Sequence, residues 1–333
     1  MAERPPLAAG PVVGEPVVDG LVIIDKPAGW TSHDVVARCR KVFRQRKVGH
    51  AGTLDPDATG VLVVGLGRAT RLLRFLVGMP KSYTAEVVLG VATSTQDAGG
   101  EITGHWDMSN VTLAQVRAAA ATLTGTIEQV PPMVSAVQVG GRRLHQLARE
   151  GIEVERDART VTVTRFDVSL AATGPEPAAG PVLAVEVDCS SGTYVRTLAA
   201  DLGVALGGGA HLRNLRRTAV GPWTLADAVG LEGVSRQRVL PPAAAVDGLV
   251  AVHVEPGLAA AIGHGKVLAA SDLGEGAVGA GPWAVVGPDG ALLAVYQAHE
   301  GGRVKPVLVL GAGPDEVAAR PGRDPASPPP AGR

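Results

Sequence analysis

The chain has 333 residues, of which 46% are hydrophobic, and it carries a formal net charge of −1 at pH 7. A chain of this length has room for about two domains, and no apolar run approaches the roughly 18 residues that a membrane-spanning helix needs. The near-neutral charge excludes a protein that coats nucleic acid without selectivity, because such proteins carry a large positive excess.

Residues 1–19 contain no apolar segment typical of a signal peptide and are expected to form a disordered leader. The protein is therefore expected to be soluble and cytoplasmic. The two cysteines, Cys39 and Cys189, belong to no CxxC motif, and the eight histidines form no HExxH motif. These patterns argue against a disulfide framework, a structural zinc site or a catalytic metal.

The first structured elements are predicted to be a strand and a helix. The apolar run LVIIDKP at 21–27 is typical of a short buried strand that ends at Pro27. Thr31 and Asp34 then form a capping-box pattern, which marks the start of a helix. The expected buried face of this helix contains Val35, Val36, Cys39 and Val42.

The next segment, VGHAGTLDPDATGVLVVGLG at 48–67, is rich in Gly, Thr, Asp and Pro before an apolar run. This pattern predicts an ordered loop that leads into a strand. The stretch from Gly60 to Gly65 lacks the Lys-Ser/Thr pair of a phosphate loop, and Gly65 and Gly67 lack the third glycine of a dinucleotide motif. No nucleotide cofactor is therefore expected.

Further along the chain, residues 83–91 are strand-like and residues 112–123 have the composition and spacing of a helix. From 129 to 160 the chain changes character. A Pro-interrupted stretch is followed by a Gly140-Gly141 turn and a short helix that Gly151 ends. This stretch is predicted to be an excursion from the main body.

The last part of the body is predicted to contain two strands, at 160–172 and 181–190, and a helix at 193–206. After about residue 241 short strand patterns alternate with Gly-rich turns, which predicts a small all-β module. Residues 313–333 are too poor in apolar side chains to stay ordered and are expected to form a disordered tail.

The string GHAGTLDPDATG at 49–60 carries the most specific functional signal. An Asp-Pro pair on its own is typical of a turn, in which the Asp side chain accepts backbone hydrogen bonds. The whole string and the strand that follows it, however, resemble the catalytic loop of the TruB family of pseudouridine synthases. The resemblance continues, in the family's order, through segments 25–36, 81–90, 129–156, 191–203 and 209–221.

This resemblance implies an α+β pseudouridine synthase fold, with a mixed, mainly antiparallel central sheet flanked by helices and loops. It assigns residues 20–245 to the catalytic domain, with a thumb-like insertion at about 129–160 that clamps the T-loop of tRNA. Residues 247–312 are similar to a PUA-like RNA-binding domain, which in this family contacts the acceptor end. The arginines expected at or beside the helix of the insertion are Arg142, Arg143, Arg149, Arg156 and Arg159.

The resemblance also assigns roles to single residues. Asp55 is the catalytic carboxylate and nucleophile, and Arg196 forms an ion pair with it. Tyr83 stacks on the target base or serves as a general base. Lys26 supports the catalytic loop but is not counted as a site residue. The further substrate-binding residues are His50, Tyr194 and Leu215.

Each of these residues has a plainer alternative when it is taken alone. Arg196 would be a surface charge at a helix start, where the helix dipole disfavours a cation, and this placement favours a paired role instead. The plainer alternatives for the others are a strand aromatic for Tyr83, a loop residue bonded to backbone for His50, the start of an apolar stripe for Tyr194 and a core position for Leu215.

The function that the resemblance implies is isomerisation of uridine 55 in the T-arm of tRNA to pseudouridine, after the base is flipped out of its stack. No redox change or group transfer occurs, so no cofactor is expected. The expected partner is tRNA, without a membrane, a guide RNA or an obligate protein partner, and the protein is expected to be a monomer. Asp55 has three open roles: attack on the base, attack on the sugar, or removal of a sugar proton.

Two other functions remain open at this point. The first is a guide-RNA-dependent pseudouridine synthase with the same catalytic core, against which the insertion at 129–160 argues. The second is a tRNA-binding folding protein in which isomerisation is secondary. The set formed by Asp55, Tyr83 and Arg196 favours catalysis over this reading.

Overall fold

The computed structural model describes residues 16–135, 138–172 and 180–310. These ranges leave out most of the expected leader at 1–19 and all of the expected tail at 313–333. The side chains of Arg143 and Arg149 are also outside the description. None of the helices in the described ranges is both long and apolar enough to cross a membrane.

Six α-helices and eighteen strands lie within these ranges. The helices are α1 (Ser32–Val42), α2 (Leu73–Val77), α3 (Leu113–Thr122), α4 (Leu144–Arg149), α5 (Val195–Ala205) and α6 (Pro256–Gly263). The strands are β1 (Gly20–Lys26), β2 (Val48–Ala51), β3 (Thr59–Leu66), β4 (Lys81–Leu89), β5 (Val91–Thr93), β6 (Ile102–His105), β7 (Gly125–Gln129), β8 (Gln138–Val139), β9 (Arg142–Arg143), β10 (Arg159–Leu170), β11 (Val182–Cys189), β12 (Ala210–Val220), β13 (Trp223–Thr224), β14 (Val250–His253), β15 (Leu268–Ala269), β16 (Trp283–Val286), β17 (Leu292–His299) and β18 (Arg303–Val309).

Helix α1 begins where its capping box predicts. The Asp34 backbone N–H donates to Thr31 Oγ1 over 3.1 Å, and the Thr31 N–H donates to Asp34 Oδ2 over 2.9 Å. Helix α3 begins with the same arrangement between Thr112 and Gln115. These reciprocal bonds satisfy backbone donors that a helix start otherwise leaves without partners. The buried residues of α1 are Ser32, Val35, Val36 and Cys39.

The largest sheet in the described part of the chain has nine strands. Seven of them follow the order β1-β3-β12-β4-β11-β10-β7, while β2 pairs with β3 and β13 pairs with β12. All of these pairings are antiparallel except that of β12 with β3, which is parallel. The expected mixed, mainly antiparallel central sheet is confirmed.

Strands β1 and β3 lie between two cores, because successive side chains of a strand point to opposite faces. Ile24 packs in a cluster with Val35 of α1. Its neighbour Ile23 packs in another cluster with Leu76 of α2 and Leu308 of β18. On the other half of the sheet, β4, β10 and β11 pack against α3 and α5 in a third core.

The C-terminal strands form a second sheet in the order β14-β16-β17-β18-β15. The prediction of an all-β module is wrong in one respect, because α6 packs on this sheet. Helix α6 has Pro256 in its first turn and continues through Leu-Ala-Ala-Ala. Proline is favoured in the first turn of a helix and alanine throughout it. The sequence therefore indicated a helix here, although strand patterns surround it.

The insertion has the predicted turn and helix. Gly140 and Gly141 both have positive φ, at 59° and 81°, and connect β8 to β9 in a two-stranded hairpin. Helix α4 follows directly, with Leu144 and Leu147 buried, and Gly151 with φ of 72° follows its end. The hairpin itself was not predicted, since each of its strands has only two residues.

Candidate active site

The loop at 52–58, between β2 and β3, carries Asp55 and is fixed to the elements before it. Ser32, at the start of α1, accepts a hydrogen bond from the Leu54 N–H over 2.9 Å. The Lys26 ammonium at the end of β1 donates to the Pro56 carbonyl over 2.9 Å. Lys26 is fully buried, and it supports the loop as the sequence led us to expect.

Arg217 of β12 holds the start of the same loop. Its guanidinium donates to the Gly52 carbonyl over 3.1 Å and to the Val61 carbonyl of β3 over 2.7 Å. Arg217 is 1% exposed and lies directly opposite Tyr83 in the antiparallel pairing of β12 with β4. One arginine therefore connects the Asp55 loop, β3 and the strand that carries Tyr83.

Arg196, in the first turn of α5, lies beside Asp55. Its Nε is 3.1 Å from Asp55 Oδ2, and its side chain is 6% exposed. Its Nη1 donates to the Thr95 carbonyl over 2.9 Å, and its Nη2 donates to the Val134 carbonyl over 2.8 Å. The guanidinium thus joins the Asp55 loop to the segment after β5 and to the insertion.

A second carboxylate, Asp97, binds the same guanidinium. Asp97 Oδ2 is 3.1 Å from Arg196 Nη1. Its other oxygen accepts from Thr95 Oγ1 over 2.6 Å and from the Gly99 N–H over 3.1 Å. These bonds hold Asp97 in one orientation, so that the positive charge of Arg196 is shared between two carboxylates.

The pKa of Asp55 is set first by burial and then by the neighbouring charges. Burial of the carboxyl among protein atoms raises the pKa of Asp55, the charge of Arg196 lowers it, and the negative charge of Asp97 raises it again. The net direction is upward. Burial is the largest of these effects, and Arg196, whose charge is shared with Asp97, does not reverse it. The Asp55 side chain is 43% exposed, since it faces the cavity.

Tyr83, on β4, has its side chain buried to 8% exposure next to this cavity. Burial raises the pKa of Tyr83, although the neighbouring Arg217 lowers it. At neutral pH the residue is therefore a protonated phenol. This state suits stacking and hydrogen bonding, whereas a general base would have to be the phenolate.

Tyr194 is held through its backbone by Gln129, which is 2% exposed. The Tyr194 N–H donates to Gln129 Oε1 over 2.7 Å, and Gln129 Nε2 donates to the Tyr194 carbonyl over 3.1 Å. Tyr194 is the N-cap residue of α5. The amide therefore fixes the end of the helix that carries Arg196.

Leu215 reaches the site through an irregularity in β12. The register of β12 with β4 shifts between Arg213 and Arg216, and Asn214 has a φ of 52°. Asparagine tolerates this left-handed conformation better than most residues. The bulge places Leu215 at the boundary of two adjoining cavities, both of which Asp55 and Arg196 also line.

The structure brings five of the six predicted site residues together: Asp55, Tyr83, Tyr194, Arg196 and Leu215 line one cavity. The sixth, His50, lies on β2 and is not among the residues that line it. The ring of His50 stands at 85° to that of His33, with 5.4 Å between ring centroids. Burial lowers the pKa of His50, so its imidazole is neutral at neutral pH.

Sequence reasoning did not select four charged or polar residues of this site: Lys81, Asp97, Gln129 and Arg217. Lys81 and Arg217 lie inside the matched segments 81–90 and 209–221, but nothing in the sequence distinguishes a buried cation from an exposed one. Asp97 lies outside every matched segment. Across the described ranges, no group of three or more His, Cys, Asp and Glu side chains is arranged to hold a metal ion.

Comparison with known proteins gives the family. Residues 40–195 match the TruB family pseudouridylate synthase (N terminal domain), and residues 196–242 match the tRNA pseudouridylate synthase B C-terminal domain. The chain is 50% identical over 301 residues to tRNA pseudouridine synthase B of Arthrobacter sp. (strain FB24), covering 88% of this chain and 97% of that protein. It is 47% identical over 298 residues to the protein of the same name from Thermobifida fusca (strain YX), covering 88% and 99%.

Solved structures agree with the fold. The chain is similar to one in a crystal structure of a Cbf5-Nop10-Gar1 complex, with a TM-score of 0.65 and 28% identity over 87% of this chain and 84% of that chain. It is also similar to one in the structure of an H/ACA RNP bound to a substrate RNA containing 2′-deoxyuridine, with a TM-score of 0.63 and 26% identity over 88% and 85%. These likenesses confirm the expected pseudouridine synthase fold. The two family matches span residues 40–242, more than half of the chain, and the chain belongs to the TruB family of pseudouridylate synthases, which are isomerases.

Proposed function

We propose that this protein isomerises uridine 55 in the T-arm loop of tRNA to pseudouridine, without a guide RNA, and that Asp55 is its essential carboxylate. The observation that carries the proposal is the Asp55 carboxylate, held 3.1 Å from Arg196 at the edge of a cavity that Tyr83, Tyr194 and Leu215 also line. Relatives named tRNA pseudouridine synthase B, at 50% and 47% identity, support the choice of tRNA.

The reaction breaks the bond from C1′ of the sugar to N1 of uracil and forms a bond from C1′ to C5. The base must first leave its stack, at a cost of a few kcal/mol. Stacking on Tyr83, worth about 1–3 kcal/mol per base, offsets part of this cost. Leu215 then contacts the ring or the sugar from the bulge in β12, and Tyr194 contacts the nucleotide from the end of α5.

Asp55 acts in this proposal as an ionised carboxylate. Arg196 keeps it oriented and lowers its pKa, while burial and Asp97 raise that pKa. The balance leaves a carboxylate whose affinity for a proton is higher than that of an exposed aspartate. Greater basicity helps any of the three open roles, since each requires Asp55 to share an electron pair with carbon or hydrogen.

Recognition of tRNA is assigned to two parts of the chain. One is the insertion at about 129–160 within the catalytic domain (20–245), and the other is the C-terminal domain (247–312). RNA is recognised mainly through loops, splayed bases and backbone contacts. The insertion contacts the site through the bond from Arg196 to the Val134 carbonyl, so that RNA bound by the insertion would lie next to the ion pair of Arg196 and Asp55. Arg142 of the insertion pairs with Glu150, and Arg156 donates to the Pro131 carbonyl over 3.2 Å.

A second candidate function is guide-dependent pseudouridine formation, because the similar solved structures are of a Cbf5-Nop10-Gar1 complex and an H/ACA RNP. The identity to those chains is 28% and 26%, against 50% to tRNA pseudouridine synthase B. The higher identity favours the guide-free function.

One experiment separates the two candidates. The purified protein is incubated with a transcribed T-arm stem-loop alone, and pseudouridine is mapped at each position. A stem-loop whose uridine 55 is replaced by cytidine serves as the matched control. Conversion of uridine 55 in the absence of any other RNA supports the proposal, and conversion only when a guide RNA is added refutes it.

A further inference from the structure

Two buried cations next to the active-site cavity have no acidic partner. Lys81 is 8% exposed, Arg217 is 1% exposed, and both line the cavity that Asp55 lines. Within the described residues, no carboxylate lies within ion-pair distance of either side chain. The cavity is therefore lined by three cations, with Arg196 as the third, and by one carboxylate.

Other arginines of the same strand differ in this respect. On β12, Arg213 Nε lies 2.6 Å from Glu86, and Arg216 Nη2 lies 2.7 Å from Asp25. Both of these arginines are more exposed than Arg217. Burying a charge without a counter-charge costs several kcal/mol, so the most buried arginine of the strand is also the one for which a carboxylate partner would help stability most.

Backbone carbonyls hold both cations in place. Arg217 donates to the carbonyls of Gly52 and Val61, and Lys81 Nζ donates to the Met79 carbonyl over 2.8 Å and to the Val77 carbonyl over 3.1 Å. Carbonyl dipoles satisfy these N–H groups but leave the net charge in place. Burial and the nearby Arg217 lower the pKa of Lys81 to about 8, so that the protonated form predominates at neutral pH.

The two cations lie beside each other and beside Tyr83. Lys81 and Tyr83 share a face of β4, because side chains alternate along a strand, and Arg217 is the cross-strand partner of Tyr83. A Cβ atom placed on Gly52 would lie 3.4 Å from Lys81 Cε and 3.6 Å from Arg217 Nη1. Both cations therefore lie within van der Waals reach of the start of the Asp55 loop.

The chemistry of the proposed reaction calls for positive charge here. If Asp55 attacks the sugar, or removes a sugar proton, the C1′–N1 electron pair leaves with uracil as an anion. If Asp55 attacks C6 of the base, the negative charge develops on the ring and its O4 oxygen. In every case C1′ then bonds to C5, and the proton of C5 is lost while N1 gains one, so that no atom is added or removed overall.

We propose that Lys81 and Arg217 form a cation pair that stabilises the negative charge which the pyrimidine ring acquires when its bond to the sugar is broken. This inference rests on the proposed isomerase function. Fixed charges in a pocket that excludes water stabilise developing charge without having to reorganise during the reaction. Tyr83 stacks on the ring, and Asp55 acts on the ring or on the sugar. The cation pair stabilises the negative charge on the pyrimidine.

The test compares leaving groups. T-arm stem-loops carry uridine or 5-fluorouridine at the target position, and the single-turnover rate of C1′–N1 cleavage is measured for wild type, Lys81→Met and Lys81→Arg. Fluorine withdraws electrons and stabilises the pyrimidine anion, so that cleavage depends less on the protein's charge. Lys41→Met, at an exposed position of α1, is the matched control for the loss of one cation.

For uridine, Lys81→Met is expected to slow cleavage about 100-fold with RNA binding unchanged, the size typical of losing one electrostatic stabiliser. For 5-fluorouridine the loss is expected to be about tenfold smaller. Lys81→Arg, which keeps the charge, should lose less activity on uridine than Lys81→Met, and Lys41→Met should remain near wild type on both substrates. An equal loss on the two substrates would mean that Lys81 only supports the fold, and would overturn the proposal.

A second measurement on wild type covers the case in which Lys81→Met does not fold. A stem-loop with an abasic target position is bound to the protein, and the affinities of uracil and of barbiturate, a pyrimidine that is an anion at neutral pH, are compared by calorimetry. Tighter binding of barbiturate is expected, and equal or tighter binding of uracil would contradict the proposal. If wild type forms no pseudouridine in the uridine stem-loop, the proposed function itself fails. That result differs from an equal loss of rate on uridine and 5-fluorouridine in Lys81→Met, which overturns only the role of the cation pair.

Discussion

Asp55 and Asp97 bind the same guanidinium at the same distance, each with one carboxylate oxygen 3.1 Å from a different nitrogen of Arg196. Asp55 faces the cavity, whereas Asp97 is turned toward the loop after β5 by bonds from Thr95 and Gly99. Asp97 is therefore a positioning residue in this account: it fixes Arg196, and Arg196 fixes Asp55.

Asp97→Asn should lower kcat about 10- to 100-fold with little change in KM, because small misplacements of a catalytic group cost rates of this order. The amide keeps the shape of the side chain but removes the charge that holds Arg196. Steady-state kinetics on the T-arm stem-loop measure both constants. Asp167→Asn, on the exposed face of β10, is the matched control, and an Asp97→Asn enzyme as fast as that control would exclude the positioning role.

The acid limb of the pH–rate profile should move in opposite directions in two variants. In the proposed reaction Asp55 must be ionised. Because its pKa is raised, activity should fall at a higher pH than an ordinary aspartate would give. Removing the negative charge in Asp97→Asn lowers the pKa of Asp55 and shifts the limb to lower pH. Removing the positive charge in Arg196→Ala raises that pKa and shifts the limb to higher pH.

Single-turnover rates from about pH 3.5, near the ordinary pKa of an aspartate, to about pH 8 measure these shifts. Stem-loop binding is followed at each pH, so that titration of the RNA or loss of the fold is recognised separately. Shifts in the same direction for both variants, or none in either, would show that Asp55 is not the group that titrates in the acid limb.

Gln129→Leu should destabilise the protein by about 1–3 kcal/mol, because it leaves the part-buried Tyr194 N–H without its partner, while the Tyr194 carbonyl keeps only the bond from the Leu198 N–H. It should also lower kcat, since the start of α5 positions Arg196. Chemical denaturation gives the free energy of unfolding, and Gln237→Leu, at an exposed position, serves as the control. A Gln129→Leu protein with unchanged stability would show that the two hydrogen bonds to Tyr194 contribute nothing net.

The C-terminal sheet and the catalytic body should unfold in one transition, because they share a core. Leu308 of β18 packs in the cluster that contains Leu21 and Ile23 of β1. Leu308→Ala is expected to cost about 2–5 kcal/mol and to shift that whole transition. Val278→Ala, at a side chain that is 79% exposed, is the control and should change stability by less than about 0.5 kcal/mol. A separate transition for residues 250–309 would contradict the shared core.

Sequence patterns predicted the fold wherever the information is local. Thr31 and Asp34 define the start of α1 through bonds three residues apart, and alternating apolar residues predict β10 and β11. Helix α6 was not predicted because it has only eight residues and lies among strand patterns. The shared core could not be predicted, since it depends on contacts between residues more than 200 positions apart.

The site residues were likewise predicted only where they lie in a recognisable motif. The resemblance to TruB sequences located Asp55, Tyr83, Tyr194, Arg196 and Leu215, and the structure brings these residues to one cavity. Asp97 lies in a loop with no motif, and its pairing with Arg196 spans 99 positions in the sequence. Burial of Lys81 and Arg217 without an acidic partner depends on which strands are neighbours, which a single sequence does not specify.

The assignment of Asp55 as the essential carboxylate is tested by mapping pseudouridine and measuring tRNA binding with Asp55→Asn. Unmodified tRNA is incubated with purified wild type or variant, pseudouridine is mapped at every position, and the Kd for tRNA is measured in parallel. The variant keeps the shape of the side chain but loses the charge and the nucleophile, so the loss should appear in turnover and not in ground-state binding. We expect wild type to convert uridine 55 alone, and Asp55→Asn to bind tRNA with near wild-type affinity and convert nothing; conversion at another position by wild type, or near-normal turnover by Asp55→Asn, would contradict the account.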